Sequence, residues 1–376
     1  MHSLYIHIPY CSQACSYCNF HFSTSKENVD MMINAICTEL MLKKKYFDEP
    51  FILQSIYLGG GTPSILGPKQ IERIFNAIRT NYVLADKAEV TIECNPEDIK
   101  AELLKHYQLL GINRLSIGVQ SFDDADLIRM NRSHKAAEAI ESIQLAASVG
   151  FDYITIDLMY GLPFQDEKAW RKNLDLAATL PINHLSCYAL TIEERTALAK
   201  LIARKQLPQT DEIVYSNHFQ QLLQWCEQQQ WQQYEISNFC KGDNYAVHNS
   251  GYWKGWKYIG IGPSAHSYNG NHRQWNIANN PQYIKLMQTG SPDYFEIELL
   301  SEQNKYNEFV MLGLRTKWGV NIINMENTYG KQRVAYFERS ISKFISSGEA
   351  IYKDGKYILT DTGKLKADFV ATECFF

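Results

Sequence analysis

The chain has 376 residues, 45% of them hydrophobic and 21% charged, enough for more than one packed unit and ordinary for a folded protein. Lys and Arg number 37 against 41 Asp and Glu, a formal net charge of −4, which excludes broad electrostatic attraction to nucleic acid or an anionic membrane. Nine cysteines, odd in number and unevenly spread, do not suit a disulfide framework; MHSLYIHIPYC lacks the regions of a signal peptide and no apolar run is long enough for a membrane span, so a reducing, cytoplasmic setting is expected.

The first predicted strand, Leu4–Ile8, runs into C-S-Q-A-C-S-Y-C, with thiols at Cys11, Cys15 and Cys18. A zinc site takes four ligands, and CxxC pairs supply them two at a time. Here the spacing is x3 then x2 with no second pair nearby, which favours three thiolates on a cubane iron–sulfur cluster whose fourth iron is open. A zinc knuckle completed by a distant His or Cys, and three thiols that are simply buried, are the competing readings.

From residue 1 to about 190, short β-rich runs alternate with helical stretches. Strands are predicted at Leu4–Ile8, Ser55–Leu58, Glu89–Glu93, Arg114–Val119, Tyr153–Leu158 and His184–Leu190, and helices at Val29–Lys45, Pro68–Asn81, Ile99–Leu110, Lys135–Ser148 and Glu167–Leu180. This is βαβ organisation in an α/β protein, a parallel sheet with helices outside. The pattern predicts a partial (β/α)6 barrel, with a closed eight-stranded barrel as the second choice. Three segments follow: a barrel core at 1–190, a helical and loop extension at 191–298, and a C-terminal winged-helix-like unit at 299–376. In the extension, Leu222, Trp225 and Cys226 form an apolar stripe read as core contact, and 234–270 reads as a strand and long loops. The last segment reads as small helices and a hairpin around Lys353–Lys356. Its charge does not favour a DNA-reading surface.

Ligands of such sheets collect at the carboxyl ends of the strands, where the informative residues fall. Gly59, Gly60, Gly61 and Thr62 let the backbone approach a ligand, although a plain tight turn has the same composition. No GK[ST] follows, so this is not a P-loop. Glu93 ends the apolar strand TIEC, where a carboxylate is costly unless paired, and a ligand ammonium or ribose hydroxyl would pair it. Gln120, Arg132 and Asp157 are further candidates: Arg offers a fork for a carboxylate, Asp takes two ribose hydroxyls, and Gln serves either purpose. Cys94 reads as an inert core thiol.

The cysteine spacing, with Tyr17 before the third Cys, resembles the radical S-adenosylmethionine enzymes. In that superfamily three cysteines hold a [4Fe–4S] cluster and the open iron binds the cofactor's amino and carboxylate groups. Reading Tyr5, HIPYC, GGGTP, ECNP, RLSIGVQSF, Asn131-Arg132, IDLMYGLP and CYAL in order, the chain resembles the oxygen-independent coproporphyrinogen III oxidase family and its haem-chaperone branch, from residue 4 to about 270. The resemblance implies Cys11, Cys15 and Cys18 as cluster ligands. It implies Tyr5, Gly60, Gly61, Thr62, Glu93, Gln120, Arg132, Asp157 and Ala189 around S-adenosylmethionine.

Two departures separate the branches. The oxidases carry a fourth Cys two residues past the third, where this chain has Phe20, which can neither ligate iron nor relay a proton. The chaperones carry HNxxYW, and here His248-Asn249-Ser250-Gly251-Tyr252-Trp253 matches it. Imidazole is a common axial haem ligand and aromatic rings stack on porphyrin, so His248, Tyr252 and Trp253 are haem candidates. The expected function is a haem chaperone that passes haem to an acceptor protein. A reductant would serve the cluster, no nucleic acid is expected, and membrane contact would be at most peripheral. The alternatives are a coproporphyrinogen III oxidase and, more remotely, a DNA-binding regulator. An open barrel rim is further expected to bring the Cys loop and the HNxxYW segment to one mouth, with Tyr252, Trp253 and Trp256 walling a porphyrin.

Overall fold

The computed structural model describes residues 1–47 and 49–376. Strands β1 (His2–Ile8), β2 (Leu53–Gly60), β3 (Leu84–Cys94), β4 (Arg114–Gln120), β5 (Tyr153–Tyr160) and β6 (His184–Ala189) pair in sequence order, all parallel. Each is followed by helix, among them Val29–Leu42, Pro68–Asn81, Ala101–Leu109, Ala136–Val149 and Glu167–Thr179, close to the predicted spans. The physical reason is the period of two. Leu4, Ile6, Ile8, Ile56, Leu58, Ile92, Ile117, Ile156 and Leu158 face the helices and form the buried core. The alternate residues, such as Tyr5, Tyr57, Thr91, Glu93, Ser116 and Asp157, make the opposite, polar face.

The extension is more ordered than its composition suggests. It contributes β7 (Trp231–Glu235), β8 (Asn238–Lys241), β9 (Lys257–Ile261), β10 (His266–Tyr268), β11 (His272–Asn276) and β12 (Phe295–Leu299) to the same sheet. The order is β12-β11-β10-β9-β1-β2-β3-β4-β5-β6-β8-β7, so β9 adds a further parallel strand beside β1. The two edges are β12 and β7, so the barrel is partial and not closed by strand pairing. The expectation of loops over 234–270 is corrected accordingly. Those strands are too short, and too rich in Gly, Asn and aromatic residues, to show a clean period. The HNSGYW segment is itself a helix, Val247–Trp253.

Beyond β12, a second buried cluster including Tyr306, Val310, Phe337, Ile341 and Val370 packs helices Glu302–Leu314, Lys331–Ser346 and Ala367–Glu373 on a small sheet. That sheet is β13 (Val320–Asn321), β14 (Ala350–Lys353) and β15 (Lys356–Leu359), with β14 and β15 the hairpin around Lys353–Lys356. Among the described residues, no helix is long and apolar enough to cross a membrane.

One buried ion pair ties the first helix to the extension. Glu39 is fully buried and Lys43 is 5% exposed, with Nζ 2.9 Å from Oε1. Glu39 also accepts from Gly262 N (2.7 Å), Asn276 Nδ2 (2.8 Å) and Tyr283 OH (2.6 Å), while Lys43 donates to Gly260 O at 3.0 Å. A buried pair loses most when one partner alone is removed, because the other charge is stranded. Glu39→Ala is therefore expected to lower unfolding free energy by about 3–5 kcal/mol in urea titrations of the apoprotein, and Glu39→Met/Lys43→Met by much less.

Candidate functional site

Loops at the carboxyl ends of the parallel strands enclose a cavity of about 450 Å³. Cys11, Cys15 and Cys18 all line it, each a half-buried free thiol. Their loop is fixed by its neighbours. Cys11 N donates to Ser23 O (3.0 Å), Ser16 N to Met130 O (3.0 Å), and Thr62 N to Tyr10 O (2.7 Å). Asn131, in the left-handed region with φ 57°, accepts from Gln13 Nε2 and donates to Ala14 O, both at 2.7 Å.

The glycine turn has a reason beyond any ligand. A Cβ on Gly61 would fall 2.5 Å from Tyr10 O and 2.7 Å from Ile8 O, and one on Gly60, with φ 103°, would strike the His7 ring. Both are glycine because the end of β1 and the backbone at Tyr10, just before the Cys loop, pass directly against them. Both also line the cavity, with Thr62. Thr62 Oγ1 donates to Cys11 Sγ at 3.5 Å.

Opposite the thiols stand two carboxyls. Glu93 accepts from Tyr57 OH at 2.7 Å and Gly60 N at 3.1 Å. Burial nevertheless raises its pKa to about 7, the two hydrogen bonds working the other way. Asp157 is likewise raised to about 7, first by burial and then by Glu93, with Ser186 and Arg132 opposing. Arg132 donates through its two terminal nitrogens to Cys15 Sγ (3.4 Å), Asn95 Oδ1 (2.9 Å) and Gly118 O (2.7 Å), while its buried Nε has no partner. Burial acts against its charge, but Tyr17 and Cys15 outweigh that and hold its pKa above the ordinary value. Gln120, with φ 69°, and Ala189, at the end of β6, complete the wall.

Of the residues read from sequence, Tyr5 is not on this wall. It lies one layer below, its ring stacked on Tyr57 (6.1 Å between centroids) and its hydroxyl donating to His7 Nδ1 at 3.1 Å. Gln13, Asn95, Asn131 and Tyr188 line the cavity and were missed as site residues. Asn95, Asn131 and Tyr188 had a signal in the sequence, standing inside the quoted motifs ECNP, Asn131-Arg132 and CYAL; Gln13 had none.

The shared mouth is overturned. Glu89, early in the paired part of β3, accepts from Val247 N (2.9 Å) and His248 N (2.8 Å) and pairs with Arg114 Nε (2.8 Å). His248 Nδ1 bonds Ser55 Oγ at 2.9 Å, and its Nε2 bonds Tyr252 OH at 3.0 Å. Ser55 and Gly60 are five residues apart on one strand, roughly 16 Å. The helix Val247–Trp253 thus plugs the amino-end floor of the barrel, opposite the cysteines, and His248, Tyr252 and Trp253 do not reach the cavity. His248 is buried with both nitrogens engaged, and burial lowers its pKa to about 3. Trp253 instead lies under the Arg315 guanidinium, 5.2 Å from its centre, and Trp256 covers Gly251.

Three thiols, a glycine turn and buried carboxyls at the carboxyl end of a partial (β/α) barrel define a radical S-adenosylmethionine (radical SAM) protein. The Radical SAM superfamily description matches residues 5–177 and the HemN C-terminal domain description matches 300–365. The chain is 32% identical over 369 residues to Heme chaperone HemW of Bacillus subtilis, covering 97% of each. To Heme chaperone HemW of Escherichia coli it is 37% identical over 266 residues, 70% of this chain and 69% of that one. The solved coproporphyrinogen III oxidase HemN of Escherichia coli superposes with a TM-score of 0.87 at 22% identity, over 100% of this chain and 90% of that one, which establishes the shared fold. The chain belongs to the radical SAM coproporphyrinogen III oxidase-like family, on its HemW branch.

Both cavity carboxyls bind protons more tightly folded than unfolded. Between about pH 4 and 7 the native state holds more protons, so stability falls as pH rises through that window. Asp157→Asn is expected to match the wild-type apoprotein near pH 4 and to exceed it by about 2 kcal/mol at pH 8, read from urea midpoints.

Proposed function

We propose that Cys11, Cys15 and Cys18 hold a [4Fe–4S] cluster with S-adenosylmethionine beside it, in a protein that binds haem and passes it to an acceptor protein. The convergence of the three thiols, Arg132, Glu93 and Asp157 on one cavity carries this reading. The donor set fits: three thiols for three irons, and a buried Arg132 Nε without a partner. Among the described residues, no group of three His, Cys, Asp or Glu side chains is drawn together for a single metal ion. Thiolates on separate corners of a cube need not converge on one point, whereas zinc ligands must. When bound, such a cluster supplies an open iron for the cofactor and one-electron transfer from an external reductant. Arg132 would take the cofactor's carboxylate, Glu93 its ammonium, and Asp157 its ribose hydroxyls, with Gln120 serving either purpose.

The haem part rests on the relatives named as haem chaperones and on Phe20, 69% exposed on the cavity wall in place of the oxidases' fourth Cys. A cluster and a nucleotide cofactor would take up a cavity of this size, which supports a porphyrin site at its mouth. Phe20 and Tyr188, 42% exposed, offer aromatic faces there. Direct ligation by His248 would cost its bonds to Ser55 and Tyr252.

Anaerobic reconstitution is expected to give about four irons per wild-type chain and none above background when Cys11, Cys15 and Cys18 are all Ala. Retained iron in that variant would refute the assignment; changing the other cysteines should not alter iron content.

Haem titration should show saturable binding, weakened in Phe20→Ala. His248→Ala should lower thermal stability and leave haem affinity unchanged. Anaerobic incubation with coproporphyrinogen III, S-adenosylmethionine and reductant should yield no protoporphyrinogen IX on chromatography. Many turnovers would instead make the protein an oxidase.

A further inference from the structure

A line of buried polar side chains leads from beside the cofactor cavity to the C-terminal unit. Asp157, on the cavity wall, is the register partner of Ser186 on β6, so the two side chains stand side by side on the inner face. Ser186 Oγ also lies 3.1 Å from Asn238 Oδ1, to which it donates. Asn238 Nδ2 donates to Glu235 Oε2 at 2.7 Å, and Arg315 reaches Glu235 Oε1 at 3.2 Å. Ser186, Asn238 and Glu235 are all at most 5% exposed, so water does not compete freely for these bonds.

The line has a fixed sense. Glu235 also accepts from Ser237 N at 3.0 Å and, as a carboxylate, only accepts. The Asn238 amide must therefore turn its NH2 to Glu235 and its oxygen to Ser186. Ser186 has one proton, which goes to Asn238 Oδ1, with the Asp157 carboxylate beside it as a rival acceptor. What Asp157 meets from this side is thus set by how firmly Glu235 holds Asn238, and Arg315 holds Glu235. Across the cavity, Asp157 faces the like charge of Glu93 and the opposite charge of Arg132.

Arg315 is well placed to report on the C-terminal unit. It follows helix Glu302–Leu314 and pairs with Asp368 on helix Ala367–Glu373. Its own carbonyl accepts from Ile236 N at 3.2 Å, and Lys317 N donates to Tyr234 O at 3.1 Å, which pins this turn to β7. The same guanidinium covers Trp253 of the floor helix.

We propose that Arg315 is a positioning residue for the cofactor cavity: through Glu235, Asn238 and Ser186 it sets the polar surroundings of Asp157, coupling the C-terminal unit to cofactor binding. This rests on the reading of the cavity as the S-adenosylmethionine site. Coupling between sites is reciprocal, so cofactor binding must in turn tighten the C-terminal contacts of Arg315.

The test uses the full chain, reconstituted anaerobically and titrated calorimetrically with S-adenosylmethionine. Arg315→Ala and Glu235→Gln should weaken binding about tenfold with iron content unchanged, within the usual range of coupling between sites. Arg315→Lys should recover part of the affinity, because it keeps the charge and loses the fork. Lys343→Ala, which cuts an exposed pair with Glu373 in the same unit, should bind as wild type. Hydrogen exchange over residues 361–373 should slow when the cofactor is added to wild type, and this response should vanish in Ser186→Ala. Wild-type affinity in folded Arg315→Ala and Glu235→Gln, or exchange over 361–373 that ignores the cofactor, overturns the proposal. Should Arg315→Ala not fold, Glu235→Gln and Ser186→Ala decide it alone. A wild-type protein with full iron that binds no S-adenosylmethionine would refute the cofactor reading itself, and this proposal with it.

Discussion

The inner face of the barrel carries charge, and that charge must be satisfied away from bulk water. Glu89, Arg114, Glu93 and Asp157 alternate with the apolar residues that hold the helices, so the period that builds the core also lines the interior with polar groups. The two ends solve this differently. At the floor, Glu89 is answered by Arg114 and by the first amides of the helix Val247–Trp253. At the mouth, Glu93 has Tyr57 and Gly60, while Asp157 stands beside Ser186, and burial raises both carboxyls to pKa values near 7. Buried charges concentrated in one cavity are what the proposed cofactor site rests on.

This division gives the HNxxYW signature a structural meaning. His248 reads as a haem ligand when taken alone, because imidazole ligates iron and two aromatic residues follow it. In the fold, that imidazole spans Ser55 and Tyr252 and stacks on Tyr57 at 5.1 Å, one layer below Glu93. The segment closes the barrel from below and supports the layer on which the cavity rests. Trp253 leaves the barrel on the other side and meets Arg315, so floor and C-terminal unit share a contact. The apolar faces near the cysteines belong to other residues, Phe20 and Tyr188.

Much of this was legible in the sequence, for a local reason. Strand and helix periods over the first half are strong, and each strand end is announced by its own residues: the cysteines, GGGTP, ECNP, GVQSF, DLMYGLP and CYAL. Because parallel strands joined by helices all end on one side, order along the chain was enough to gather Cys11, Glu93, Arg132 and Asp157 into one crevice. The same reasoning did not reach β7 to β12, whose short strands pair with distant partners, and register sets Tyr5, which only the resemblance named, one layer down.

The sequence by itself determined the alternation of strands and helices, the cluster-type spacing of Cys11, Cys15 and Cys18, and the side of the sheet on which the cavity opens. These follow from periods and spacings that neighbouring residues impose on one another. Only the tertiary structure decided which end of the barrel receives the helix Val247–Trp253, and that Glu235 at the end of β7 meets Arg315 of the C-terminal unit. Those outcomes depend on how buried charges far apart in the chain, Glu89 with His248 and Glu235 with Arg315, find partners once water is gone, which no local pattern encodes.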